Sequence, residues 1–400
     1  MRILRLIYDW PPPWDGLAPH PYELSAAQSD AGHMIDVFCA RWPNAGPIVG
    51  YKNVTTHAFW REPLPGTATL TTSVAMFFYY LYWRSQNSVD VIHAQGHFAI
   101  WIYLYRLILQ KVYKRAKELK TPLIVQFHNT VQGRWEAADE KGTALKTHTK
   151  FLAWPMEKLA NKLAVKAADA LLFVIEENKD EAIKYYSAPP EKCFVVENGV
   201  NTQTFKPVGI EEKDKTRKDM GLDNLDKVIL NNGAMIERKN IHLLVEALSF
   251  LSEEYKLLLV GPGDKDYLYM LDKLISDKNL GKRVLRVGYT PYPQLPIAFQ
   301  ASDIFVLPSS YEGLPKVVMQ SLGCGVPALV SGFKIATHID GLYYLTEVTP
   351  QQIAVQIKEI LGERRPVDIL KISKEFSWAQ KARQIDEIYK FMLTKHADRT

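Results

Sequence analysis

The sequence predicts an α/β protein built from two doubly wound parallel sheets, and three observations carry that reading. Short apolar runs alternate with longer segments of helical length and amphipathic pattern. The alternation stops over a charged, Pro-containing stretch, NTQTFKPVGIEEKD at residues 201–214, and then starts again. A chain of 400 residues with 47% hydrophobic content also exceeds what one core organises while having enough apolar residues for two.

Taken in order, the first half offers ILRLI, DVFCA, VDVIHA, LIVQFH and ALLFVI as strands, with the segments between them as helices. The second half offers KVILNN, KLLLV, RVLRV and DIFVL. The predicted domains are 1–206 and 207–377. The closing segment FSWAQKARQIDEIYKFML has Ile385, Ile388, Phe391 and Met392 at helical spacing, so a helix over 378–400 is expected to pack back onto the first domain. There is no internal repeat beyond the shared architecture and no low-complexity tract.

Composition narrows the classes. Cys39, Cys193 and Cys324 fall in none of the spacings that build zinc sites or redox motifs, which fits a reducing compartment. The N-terminus MRILRLIYDW lacks a long apolar region and a small-residue cleavage site, so it reads as a buried first strand. The expected location is the cytoplasm, with peripheral attachment to the inner face of a membrane. No stretch reaches the roughly 18 apolar residues of a spanning helix. A net charge of +5 over the whole chain gives little support to nucleic-acid binding. Arg106, Lys111, Lys114, Arg115, Lys117 and Lys120, however, accompany the aromatic run WIYLYRLIL. That arrangement suits an anionic membrane surface, and equally a solvated helix whose aromatics fill the core.

Ligands of an open parallel sheet bind outside the carboxyl ends of its strands, so the residues just after each apolar run are the ones to read for chemistry. After the first strand, DWPPPWDGLAPHPYEL places Gly16 in a loop that opens a helix at Pro21. A glycine there lets backbone amides approach a phosphate, and the helix N-terminus adds a favourable dipole. His93 and His128 fall at strand ends in the first domain, and His128, followed by Asn129 and Thr130, is the better candidate. In the second domain NNGAMIERKN puts Gly233 in a turn with Arg238 and Lys239 before a helix, which suits a diphosphate; a charged surface turn is the plain alternative. Asp264 to Asp266 form a D-x-D triplet of the kind that holds Mg²⁺, but a Pro/Gly turn followed by charges explains it as well, and no metal is expected. Glu312 follows DIFVLPSS and precedes a helix near Pro315, where a carboxylate can accept bonds from sugar hydroxyls or simply complement the helix dipole.

VVENGVNTQTFKP, LLLVGPGD, VGYTPYPQLPIAFQASDIFVLPSSYEGLPKVVMQSLGCGVP and FSW occur in the order of landmarks in the retaining glycosyltransferases of family four, and the chain resembles that family over almost its whole length. The resemblance implies the GT-B fold: two Rossmann-like, doubly wound parallel-sheet domains facing a central cleft. It implies transfer of a hexose-type sugar from a nucleotide-diphosphate sugar to a glycan or lipid-linked acceptor, with no further cofactor and with domain closure about a hinge near Pro207. By the same resemblance Glu312 binds hydroxyls of the donor sugar, and Lys239 with amides around Gly16 and Lys316 holds the diphosphate. Gly288 and Tyr289 cradle the base; Gly233, Leu314 and Gln320 complete the nucleotide site; His128 lies near the reacting sugar.

Three positions depart from the family pattern. Gln320 stands where a second glutamate grips the ribose, Ala234 where an arginine is usual, and Asp15–Gly16 where glycines are paired. Gln320 retains an acceptor oxygen. Loss of a cation at a developing diphosphate costs about 10²–10³-fold in rate, and Arg238 is the proposed substitute. Retention at the anomeric carbon is implied, by front-face departure of the diphosphate. The contrasting reading is a catalytically weak transferase-like partner, favoured by the three departures and opposed by Glu312, Lys239 and His128. A nicotinamide dehydrogenase is disfavoured because no G-x-G-x-x-G follows a strand.

Overall fold

The computed structural model describes residues 1–14, 16–61, 67–113, 117–133, 136, 154–363 and 365–397. The chain divides into two compact units, one of Met1–Glu197 together with the segment from Trp378, the other of Asn198–Ser377. The division therefore falls at 197/198 and not at 206/207. Residues 198–207 pack with the second unit, where Phe205 is buried against Tyr292 and Phe299 and Val200 bridges to Ser377.

Among the described residues the first unit carries a seven-stranded parallel sheet in the order β3-β2-β1-β4-β5-β6-β7. Its strands are β1 (Arg2–Leu6), β2 (Met34–Arg41), β3 (Val54–Trp60), β4 (Val91–Gln95), β5 (Leu123–Phe127), β6 (Ala170–Phe173) and β7 (Cys193–Val195). The central strands β4 and β5 are buried along their whole length, as near-continuous apolar runs covered on both faces must be. One face is covered by α2 (Thr72–Gln86), α3 (Ile100–Val112), α4 (Trp154–Ala167) and α5 (Glu176–Tyr186), through Met76, Tyr80, Ile102, Tyr103, Val165 and Tyr186. The other face is covered by α1 (Pro19–Asp30) and the terminal helix Trp378–Ala397. The helix α1 begins at Pro19, two residues before the expected Pro21, because proline suits the first helical turn, whose N–H groups have no helical partner.

The second unit carries a six-stranded parallel sheet in the order β10-β9-β8-β11-β12-β13. The strands are β8 (Lys227–Asn232), β9 (Tyr255–Val260), β10 (Val284–Val287), β11 (Ile304–Leu307), β12 (Ala328–Val330) and β13 (Leu342–Tyr344). Its helices are α6 (Ile210–Asp219), α7 (Ile241–Ala247), α8 (Lys265–Asp277), α9 (Pro296–Gln300), α10 (Lys316–Gly323), α11 (Pro350–Glu363) and α12 (Ile369–Glu375), leaving the terminal helix as α13.

A buried polar network fastens α13 to the first strand. Arg5 is fully buried; its Nη2 donates to Gln28 Oε1, and Gln28 Nε2 donates to Asp386 Oδ1 at 2.6 Å. Asp386 also pairs with His33 at 2.8 Å, while His93 Nδ1 lies 2.5 Å from the Tyr389 hydroxyl and 3.3 Å from Arg5 Nη1. Burial lowers the Arg5 pKa, and nearby Tyr389 and Asp386 oppose that shift. Burial also holds His93 well below its ordinary range, with Arg5 and His128 adding to the effect, so its imidazole is neutral. His93 is thus part of the core.

Two expectations are corrected. Phe391, counted in the apolar face of α13, is 54% exposed; the buried stripe runs through Trp378, Ala382, Ile385, Tyr389 and Met392. Arg106, counted as a surface cation, is 1% exposed, donating to the carbonyls of Glu118 and Thr121 and pairing with Asp169 at 3.2 Å. A guanidinium in an apolar layer requires such partners. Lys114, Arg115 and the Lys117 side chain lie outside the described residues.

Replacing Asp386 with Ala removes the acceptor of Gln28 Nε2 and the acidic partner of His33, together with a negative charge that favours charged Arg5. Urea unfolding is expected to show a loss of about 2–3 kcal/mol, whereas Phe391→Ser changes stability by less than about 0.5 kcal/mol.

Candidate functional site

In each sheet the strand order reverses direction at one place, between β1 and β4 in the first unit and between β8 and β11 in the second. Successive crossovers leave such a point in opposite directions, so the loops at the carboxyl ends of those two strands part and leave a crevice. The candidate residues are distributed around these two points.

In the second unit, the loops after β8 and β11 are joined to each other. Ser310 N donates to Arg238 O at 3.0 Å, and Asn240 Nδ2 donates to Pro308 O at 2.8 Å. This junction brings Arg238 to Glu312: Nη1 lies 2.8 Å from Oε1 and also donates to the Tyr311 carbonyl. Ser309 Oγ donates to the same Oε1 at 3.0 Å, and the Glu312 backbone N–H donates to Gly332 O at 2.8 Å. Ser309 and Arg238 therefore hold the carboxylate through one oxygen and leave the other to one side. Arg238 acts first as the partner of Glu312, an engagement that its expected role as a stand-in for a phosphate ligand at Ala234 did not include.

Lys239 is the second cation of this group. Its ammonium lies against Gly233, where a Cβ would fall 2.2 Å from Nζ and push the ammonium aside, and Gly233 takes φ +143°, a conformation that side chains rarely adopt. Burial lowers the Lys239 pKa; Glu312 opposes the shift and Arg238 reinforces it. One carboxylate between two cations leaves the group net positive.

After β11 the chain turns through Leu314, which is buried and whose carbonyl accepts from Asn198, into α10 at Lys316. Val318 N in the first turn of α10 donates to Pro315 O at 3.1 Å, and the partial positive charge of a helix N-terminus favours an anion at this end. One turn on, Gln320 is 5% exposed, and its Oε1 has no hydrogen-bond partner among the described residues. A buried acceptor of this kind is an opening for a hydroxyl donor.

Gly288 and Tyr289 follow β10, at the sheet edge and two strands from the β8–β11 junction. Backbone contacts nevertheless link them to it. Gly261 N donates to the carbonyls of Val287 and Gly288, and a Cβ at Gly261 would fall 2.4 Å from the Gly233 carbonyl oxygen. Gly261 was not anticipated; the Gly-Pro-Gly after KLLLV is the signal for it. Asp264, the first residue of the D-x-D triplet, caps α8 by accepting from Asp266 N.

In the first unit, a cavity of about 310 Å³ opens at the β1–β4 junction, with Tyr8, Asp9, Gln95, His97, His128 and Glu157 in its lining. His128 follows β5, and its ring meets that of His20 edge-on at 4.4 Å. His20 is 1% exposed, with Gln95 Nε2 at 3.4 Å from its Nδ1 and Gln126 Nε2 at 3.3 Å from its Nε2. His20, Gln95 and Gln126 were missed in the sequence, although a glutamine at or next to the end of an apolar run, Gln95 in VIHAQ and Gln126 in LIVQF, was the visible sign for two of them. Gly16 takes φ +51° and lies beside Asp9, outside the described cavity lining. Asp15 lies outside the described residues.

Comparison with known proteins agrees with this architecture. Residues 212–383 match the family described as Glycosyl transferases group 1, and residues 14–204 match Glycosyltransferase Family 4. An uncharacterised glycosyltransferase of Methanocaldococcus jannaschii is 24% identical over 98% of this chain and 99% of its own length. The UDP-Gal:alpha-D-GlcNAc-diphosphoundecaprenol alpha-1,3-galactosyltransferase of Escherichia coli is 26% identical over 72% of this chain and 69% of its own. Among solved structures, the sucrose-phosphate synthase of Thermosynechococcus elongatus superposes with a TM-score of 0.77 at 18% identity, over 99% of this chain and 100% of that one. The Anabaena protein HepE in complex with UDP and glucose superposes with a TM-score of 0.71 at 17% identity, covering 98% of this chain and 99% of its own. These structures share the GT-B fold. With both halves matched by family models, the chain belongs to the group 1, family-four glycosyltransferases.

Proposed function

We propose that the chain is a retaining hexosyltransferase that takes its sugar from a nucleotide-diphosphate hexose, with a UDP-hexose the first to test, and passes it to a lipid-linked or glycan acceptor without a metal ion. The observation that carries this reading is the convergence of Glu312, Arg238 and Lys239 on the β8–β11 junction beside the α10 N-terminus. The choice of uridine rests on the Anabaena neighbour, whose complexes hold UDP and UDP-glucose, and that of a lipid-linked acceptor on the Escherichia coli relative.

In this reading the second unit binds the donor. Lys239 and the first amides of α10 from Lys316 take the diphosphate, whose negative charge grows as its bond to the anomeric carbon breaks. Arg238 steadies Glu312 through one carboxylate oxygen, and the other accepts from a sugar hydroxyl. The buried Gln320 Oε1 accepts from a ribose hydroxyl, and Gly288 and Tyr289 flank the base. The first unit binds the acceptor in its cavity, with His128, supported by His20, near the reacting sugar. The acceptor oxygen bonds to the anomeric carbon on the face from which the diphosphate departs, and its proton passes to the departing oxygen. Lys239 and a helix end supply the charge that a metal would otherwise provide.

Calorimetry with UDP-glucose, UDP-galactose, GDP-mannose and ADP-glucose should show binding of one donor, weakened about 10-fold or more by Glu312→Ala; no binding by the native chain would favour a non-catalytic partner. The anomeric configuration of the product, read by NMR, should equal that of the donor. Turnover should survive chelation by EDTA, and activity restored only by added Mg²⁺ or Mn²⁺ would overturn the metal-free reading. Because only protonated Lys239 attracts the diphosphate and its pKa is lowered, donor affinity should fall with rising pH at a point below 10.5. Lys239→Arg should move that fall to higher pH.

A further inference from the structure

The exposed rows of α2 and α3 have no part in the site described above, although Glu157 of the neighbouring α4 lines its cavity. On α3, Leu104, Ile108 and Val112 recur every fourth residue and are 37%, 50% and 63% exposed. On α2, Phe78 and Tyr82 share the same spacing and are 65% and 61% exposed. The two helices pack together, with Phe77 meeting Tyr105 at a ring separation of 5.8 Å, so the exposed rows are neighbours on one surface. Residues that fill the core, Met76, Tyr80, Ile102 and Tyr103, occupy the opposite sides of the same helices. The exposed apolar rows are thus additional to what folding requires.

Among the described residues the charges on these helices are mostly cationic, with Glu157 in the first turn of α4 an acidic exception. Neither α2 nor α3 contains an acidic residue, and Lys111 lies exposed in the last turn of α3. The adjacent helix α4 packs on α3 and exposes Lys158, Lys162 and Lys166, again every fourth residue. Contiguous exposed apolar surface marks an interaction site. Two apolar rows, one of them with Tyr82, beside a row of lysines match the chemistry of a bilayer interface, where side chains enter the acyl boundary and ammonium groups meet anionic headgroups.

We propose that the outer face of α2 and α3, flanked by the α4 lysines, docks this chain onto an anionic membrane surface. Phe78, Tyr82, Leu104, Ile108 and Val112 enter the interface, and Lys111, Lys162 and Lys166 contact lipid phosphates. The purpose of the attachment rests on the lipid-linked reading of the acceptor; the attachment itself is measured without any substrate.

Flotation of the full chain with vesicles of phosphatidylcholine, alone or mixed with phosphatidylglycerol, tests this. The native chain should float with the mixed vesicles and be released by salt. Phe78→Glu/Ile108→Glu should abolish flotation while keeping its far-UV circular dichroism and its UDP-glucose binding. If that double variant fails to fold, Val112→Glu at the end of α3 takes its place. Lys162→Gln/Lys166→Gln should weaken vesicle affinity roughly 25-fold, at about five-fold per lysine. Equal recovery of the native chain with and without vesicles, or glutamate variants that float as well as it does, would overturn the proposal. So would a dimer in light scattering that Phe78→Glu/Ile108→Glu converts to monomer without any vesicle binding, which would assign the face to a second copy. Flotation intact in a chain that binds no nucleotide sugar would sink the transferase reading and leave this one standing.

Discussion

Parallel pairing is the constraint on which this protein's arrangement depends. Each strand must be followed by a crossover back to the same end of the sheet, so every strand delivers its outgoing loop to one side. Those loops cannot all be covered by neighbouring connections. Where the winding changes direction, between β1 and β4 and between β8 and β11, a crevice is left by topology alone. The polar residues that chemistry needs are then those a few positions beyond the end of an apolar run, and in both units they are found there.

Within the second unit the same constraint sets the electrostatics. The loops after β8 and β11 are far apart in sequence but meet through Ser310 and Asn240, and their meeting puts Arg238 on Glu312. There the guanidinium and the Ser309 hydroxyl both engage one carboxylate oxygen of Glu312. The same guanidinium helps to lower the pKa of Lys239, so the group exchanges some permanence of charge for density of charge. That is an arrangement suited to an anion more than to a neutral ligand.

Cations inside the first unit are used differently. Arg5 and Arg106 each lie in an apolar layer, and each is surrounded by carbonyls, carboxylates or amides contributed by segments remote in sequence. Such contacts contribute little net stability over well-packed apolar residues, but leaving them unmade is costly, so they favour one arrangement of the segments over its competitors. For Arg5 the segments are the first strand, the first helix and the last helix, which is how the end of the chain comes to belong to the same unit as its beginning.

The central strands, the two-unit division and the carboxyl-end positions of His128, Lys239 and Glu312 were legible in the sequence because strands buried on both faces are apolar throughout and interrupt a chain visibly. The edge strand β3, with its threonines and histidine, and the three-residue strands β7, β12 and β13 were not, since a short or half-exposed strand leaves no such run. Local pattern also misplaced Arg106 and Phe391, because helical spacing tells which residues share a face and not which face the rest of the protein covers. The pairing of Arg238 with Glu312, the isolation of Gln320 Oε1 and the support of His128 by His20 depend on segments tens of residues apart, and only tertiary structure could decide them. Sequence alone determines what each short segment can become; which charges meet is settled by the packing that brings those segments together.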